Sequence, residues 1–261
     1  MKTNRTLQII LIIILCFGVY YALQELYFVE ILNSLDGVIN QKGISYCITY
    51  ILVGLPLFFG VAWIHNFRQF MVPMGLDGPF IRALLFSLLC TAPMLIGYAT
   101  VFTFNDQVTL NKIITGAVAA AFFEELYFRG ILFGQIYRFT KIGFIPSIIF
   151  GALLFAFGHL YQSQDPQTLI GIFLTTFLGA ILFAWVYVEW QYNLWVPVFL
   201  HLFMNLFWML FSAGDNAFGG TYANIFRVLT IALIIILTIM YKKRKKIKPE
   251  VTRKTLWMRK E

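Results

Sequence analysis

Charge is what this 261-residue sequence has least of. Asp and Glu together number 12, and charged residues make up 12% of the chain, about half the share usual in a soluble domain. With 60% hydrophobic residues and 18% aromatics, there is too little polar surface to enclose a water-soluble globule, and the composition is equally far from that of a disordered chain. The solvent must be lipid. Cysteine is scarce as well: Cys16, Cys47 and Cys90 stand singly in apolar runs. With no CxxC and no metal-ligand spacing they read as small core residues, not as a disulfide framework or thiolate metal centre. No HExxH occurs, so the usual helical zinc signature is missing. No polar stretch is long enough to form a separate soluble domain, and no repeat divides the chain into matching halves. Lys2 and Arg5 precede an apolar run that continues too far for a signal peptide and lacks a small-x-small cleavage site, so this segment is expected to stay as an anchor helix.

What the chain does have is long apolar runs. A bilayer core of about 30 Å takes roughly 20 apolar residues per helix, and eight such runs fall near 7–29, 44–65, 80–103, 112–137, 144–161, 167–188, 193–212 and 222–241. The breaks between them carry turn residues, as in Leu76-Asp77-Gly78-Pro79 and Gln164 to Pro166. The expected fold is all-α: a polytopic membrane protein of about eight transmembrane helices. It is read as one integral-membrane domain over 1–241 with a basic tail over 242–261. Alternate loops differ sharply in Lys and Arg. One side receives Lys2, Arg5, Arg68, Arg82, Arg138, Lys141 and the ten basic residues from Lys242 to Lys260, whereas the other receives Lys42, Lys112 and Arg227. By the positive-inside rule both termini face the cytoplasm, in an integral, multi-pass cell-membrane protein. The run Lys242-Lys243-Arg244-Lys245-Lys246 supplies most of the net +8 charge. Directly after a span, it reads as a topology signal resting on anionic headgroups, with lipids and not nucleic acid as its partner.

The informative residues are those that lipid should forbid, since a charge at mid-bilayer costs at least about 2.5–3.5 kcal/mol. The fourth run carries Glu124-Glu125-Leu126-Tyr127-Phe128-Arg129-Gly130, the fifth ends in Phe155-Ala156-Phe157-Gly158-His159, and the seventh holds His201-Leu202-Phe203-Met204-Asn205. Glu125 and Arg129 are four apart with the acid first, the favourable order for a pair on one helix face. That pair is expected to be structural. Glu124 is rotated about 100° from it and has no basic residue three or four positions away, so its partner must come from another helix or a wet cavity. His201 and Asn205 share a face, as do Phe155 and His159. These polar stripes are stable in lipid only if they converge. A carboxylate with an imidazole can take a proton from water, and a second imidazole with a carboxamide can donate to the oxyanion formed when that water attacks a carbonyl. Alternatively Glu124, His159 and His201 offer ligands for a divalent metal such as zinc.

In this order on successive apolar segments, Glu124-Glu125-x-x-x-Arg129, Phe155-x-x-x-His159 and His201-x-x-x-Asn205 resemble the three motifs of the CAAX-protease and bacteriocin-processing (CPBP, or Abi) intramembrane proteases. That family includes the type II CAAX prenyl endopeptidases. The resemblance covers roughly residues 80–212. It implies a membrane hydrolase, commonly called metalloprotease-like, that cleaves a membrane-associated peptide, lipopeptide or protein. Glu124 and His159 would activate the water, His201 and Asn205 would stabilise the oxyanion, and Glu125 and Arg129 would support them. A proton-coupled transporter or a non-catalytic immunity or scaffold protein of the same fold are the alternatives. A transporter usually shows two related halves with broken spans at matching positions, and these are absent. Gly130 and Gly134 form a small-xxx-small pair expected to allow close helix packing. Trp190, Tyr192 and Trp195 are expected in an interfacial aromatic belt, and His65 in an interfacial loop.

Overall fold

A computed structural model describes residues 2–259, with side chains from Arg5 onward. Of the residues counted for orientation, the Lys2 side chain and Lys260 lie outside this description. Each of the eight apolar runs is helical, and no strand occurs among the described residues. Helix α1 (Lys2–Ile39) has 38 residues, a length of about 57 Å at 1.5 Å per residue, so it must tilt or project beyond the hydrocarbon. Its buried stripe, Ile9, Ile13, Phe17 and Tyr20, recurs every three or four residues, as a single contact face requires.

The second run is broken, which the sequence reading did not foresee. It forms α2 (Lys42–Val53) and α3 (Leu55–His65), bent by 48°. Pro56 in the first turn of α3 cannot continue the hydrogen-bond ladder of α2. At Gly54 a Cβ would collide with the Tyr127 hydroxyl, which donates to the Tyr50 carbonyl at 2.7 Å. Helix α4 spans Phe80–Val101. The motif-bearing α5 runs over 110–139 as one rod containing two π-helical stretches, Ile114–Ala119 and Glu125–Phe133. Then follow α6 (Phe144–Phe157), α7 (Pro166–Glu189), α8 (Trp195–Leu210) and α9 (Thr221–Lys245). Asp165 caps α7 by accepting from the Thr168 N–H at 2.8 Å, just before Pro166.

Among the described residues five helices are long and apolar enough to cross a membrane, or six if α2 and α3 form one broken span. The two remaining runs are α8, with 16 residues, and α5, with its buried charges. One end of the bundle gathers the loops at 74–82, 138–145 and 189–195 with the end of α9. Arg5 approaches His65 there, so both described chain ends share it. His65 closes α3 and contacts Gln135 at 2.7 Å. The glycine pair packs as expected: a Cβ on Gly130 would stand 3.0 Å from the Met74 carbonyl oxygen, and one on Gly134 would stand 3.2 Å from the Tyr187 hydroxyl. Trp190 is turned inward, donating to Thr238 at 3.1 Å and stacking on Tyr241.

The basic tail is not a free polycation. Lys242 is 4% exposed and pairs with the buried Glu189 at the end of α7. Glu189 also accepts the Glu250 and Val251 N–H groups. Residues 246–259 fold back so that carbonyls of Thr255, Leu256 and Trp257 accept from the N–H groups of Phe144, Ile145 and Gly143, which satisfies donors left open at the start of α6. Lys243 to Lys246, Lys248, Arg253 and Lys254 keep the exposed character the sequence suggested.

Candidate active site

The site forms where α5, α6 and α8 meet, with α7 behind. Glu125 is fully buried and lies 3.2 Å from Arg129, the four-residue pair the sequence predicts. Arg129 is 1% exposed, and its guanidinium packs over the rings of Phe155 (4.6 Å) and Phe183 (5.7 Å). Its N–H groups have no hydrogen-bond partner among the described residues, so the contact with Glu125 is an ion pair of poor hydrogen-bond direction, and charge and aromatic faces hold the group in place.

Glu125 has a second partner that spacing along one helix does not reveal. The same oxygen, Oε1, lies 2.8 Å from Nδ1 of His201 on α8. A carboxylate ionised beside an arginine can only accept, which assigns the proton to Nδ1 of His201. The other ring nitrogen, Nε2, lies 3.9 Å from Glu124 Oε2. The two adjacent carboxylates thus flank one imidazole, one at each nitrogen. Oε2 of each carboxylate is buried without a hydrogen-bond partner, while the Glu124 side chain as a whole is 22% exposed and that of Glu125 is 0%. A gap of 3.9 Å is too long for a direct hydrogen bond.

His159 and Asn205 sit differently. His159 lies just past the end of α6, where its Nδ1 donates to the Phe155 carbonyl at 2.7 Å and its ring packs on Phe155 at 4.5 Å. Its connection to the carboxylates therefore runs through Phe155, the ring under Arg129. Asn205 Nδ2 donates to the Gly116 carbonyl at 3.0 Å, inside the first π-helical stretch of α5. It is one turn beyond His201 on the same face of α8. From the other side, α1 and α2 bring Tyr20, Tyr46 and Tyr50 within electrostatic reach of Glu124, with Tyr50 stacked on Phe123. The sequence reading gave the first two runs no part in the site. Their tyrosines were legible only as spanning aromatics.

The metal alternative does not fit this arrangement. Among the described residues no three His, Cys, Asp or Glu side chains are grouped so as to hold an ion, and the contacts of His159 are with Phe155.

Residues 106–207 match the family model described as type II CAAX prenyl endopeptidase Rce1-like. Over 98 residues the chain is 35% identical to a protein of Bacillus subtilis (strain 168) named "Putative membrane peptidase YdiL". That match covers 36% of this chain and 34% of the relative, so the chain spans about a third of the curated protein it matches. All three motifs lie within the matched region.

Proposed function

From the match of residues 106–207, which hold all three motifs, to the Rce1-like family model, we propose that the chain is an intramembrane endopeptidase. It hydrolyses a peptide bond of a membrane-associated peptide or protein with a water activated at Glu124. The observation that carries this reading is the division of labour between adjacent carboxylates. Oε1 of Glu125 is committed to both Arg129 and His201, whereas Glu124, the more exposed side chain, stands 3.9 Å from His201 Nε2 and makes no direct hydrogen bond to it.

In the first step Glu124 takes a proton as the water oxygen bonds to the scissile carbonyl carbon. The charge passes to the carbonyl oxygen, which accepts from the second N–H of the Asn205 amide, and from His201 Nε2 when that ring, already a donor at Nδ1, takes up a second proton. Collapse of this intermediate breaks the C–N bond, and Glu124 returns its proton to the leaving amine. With Nδ1 committed to Phe155, His159 has Nε2 as the nitrogen that can share the water's proton. The basic end of the bundle faces the cytoplasm, by the Lys and Arg asymmetry.

The test is cleavage of peptide and lipopeptide substrates by the reconstituted protein. Glu124→Gln should lower kcat by about 10²–10⁴, the range for loss of a general base, with the melting temperature unchanged. Undiminished cleavage by this variant overturns the assignment. A wild-type protein without hydrolysis of any substrate, but with membrane-potential-dependent proton flux, favours the transporter alternative.

A further inference from the structure

We propose that the basic end of the bundle holds a specific site for the phosphate headgroup of an anionic phospholipid. A cavity of about 240 Å³ opens there, lined by polar and charged groups that include Asp77, Arg82, Arg138, Gln191, Tyr192 and Tyr241. Its volume is below the roughly 300–1,000 Å³ of pockets for drug-sized ligands, and suits a headgroup. None of its lining residues belongs to the catalytic constellation, so the site stands whether or not the chain cleaves peptides.

Depth identifies the ligand's source. The cavity lies where α4 begins, where α5 and α7 end, and where α9 passes from Tyr241 into its polybasic run. Four helices leave the hydrocarbon together at this level, and basic pockets between helices on such a face accept lipid phosphates. Charge identifies the class. Two guanidiniums face one carboxylate. Arg138 donates to the Val72 carbonyl at 2.9 Å and lies over the Tyr192 ring at 4.8 Å, which holds its fork in place without using a carboxylate. Arg82 is exposed and, among the described residues, pairs with no acid. A phosphodiester offers the bidentate acceptor that such groups favour. The uncapped first turn of α4, which follows Pro79 in the cavity wall, adds a donor-rich helix end. Asp77 opposes an anion, which gives the proposal a test of sign.

The full-length protein, delipidated in detergent, is titrated by native mass spectrometry with phosphatidylglycerol, phosphatidylethanolamine, phosphatidylcholine and inorganic phosphate. One phosphatidylglycerol per chain should bind in preference to the zwitterionic lipids. Arg82→Gln should weaken it about tenfold or more, the loss of a charge-assisted contact, whereas Asp77→Asn should tighten it. A Lys243→Gln, Arg244→Gln double variant, altered only on the exposed face of the basic run, should bind as wild type does. Equal binding by Arg82→Gln overturns the proposal. So does loss of binding in the Lys243, Arg244 variant, which would show diffuse surface attraction. Displacement of the lipid by inorganic phosphate at equal concentration would overturn the lipid source, and equal binding of all three lipids would overturn the anionic class.

Discussion

Replacing Glu125 by Gln should damage the protein in two separable ways. The carboxylate is fully buried and Arg129 is 1% exposed, with guanidinium N–H groups that lack hydrogen-bond partners. A neutral amide at this position leaves the guanidinium with the Phe155 and Phe183 faces as its local support, and stranding one member of a buried pair costs about 3–5 kcal/mol. At about 2–4 °C per kcal/mol for a chain of this size, the melting temperature should fall by roughly 6–20 °C. Removing the second charge as well, in Glu125→Gln with Arg129→Met, should restore most of that loss, because the uncompensated cation is gone. Activity should not return with it. In both variants His201 Nδ1 meets a neutral oxygen in place of the carboxylate that fixes its tautomer, so kcat stays low in the stable double variant. Thermal unfolding in detergent, read beside a cleavage assay, gives both numbers. A Glu125→Gln protein that melts within about 1 kcal/mol of wild type would refute the reasoning that this pair is a buried charge balance.

Three further outcomes follow from contacts elsewhere. Asn205→Ala should lower kcat by about 10²–10³ if the amide serves the oxyanion, and lower stability by only about 1 kcal/mol for the bond to the Gly116 carbonyl; a parallel loss of both would make it structural. Glu189→Ala removes the acceptor for Lys242 and for the Glu250 and Val251 N–H groups, costs about 3–5 kcal/mol, and should expose 246–259 to trypsin at Arg253 and Lys254, which unchanged digestion would contradict. Gly97→Ala places a Cβ into the Phe226 ring between α4 and α9, an overpacking cost of about 1–3 kcal/mol that an unaltered melting curve would rule out.

What the sequence made legible follows from what each kind of pattern encodes. Long apolar runs report burial in lipid, so each of the eight runs is helical, because a lipid-exposed backbone must satisfy its own hydrogen bonds, although five or six helices among the described residues qualify as spans and not eight. Bends and docked tails are set by single residues. Gly54-Leu55-Pro56 was the local signal for the 48° break, and it was hidden by apolar residues on both sides. Lys242 was grouped with its basic neighbours because charge counting treats a run as one object. Only the position of Glu189 at the end of α7 separates the buried lysine from the exposed ones. Within the site, the pair of Glu125 and Arg129 could be derived because both lie on one helix. The contact of Glu125 with His201 could not be, since it depends on how α5 crosses α8. A π-helical stretch beginning at Glu125 widens the turn, which shifts the direction of every later side chain from α-helical expectation.

The unequal distances around His201 separate support from chemistry more sharply than the motif does. If both carboxylates were there to stabilise the fold, each should close on the imidazole, since a buried acceptor left unpaired costs about 1–3 kcal/mol. Instead the buried one closes to 2.8 Å through Oε1 while the partly exposed one stands off at 3.9 Å, and each keeps an unpartnered Oε2. Arg129 already balances the charge of Glu125, so nothing in the electrostatics of that pair requires Glu124. A carboxylate in the spanning region that has no ion pair of its own with Arg129 and no direct hydrogen bond to the imidazole beside it is expensive in lipid. Under the proposed function that cost is explained, because a carboxylate not closed on the imidazole keeps its basic oxygen for the proton of a reacting water.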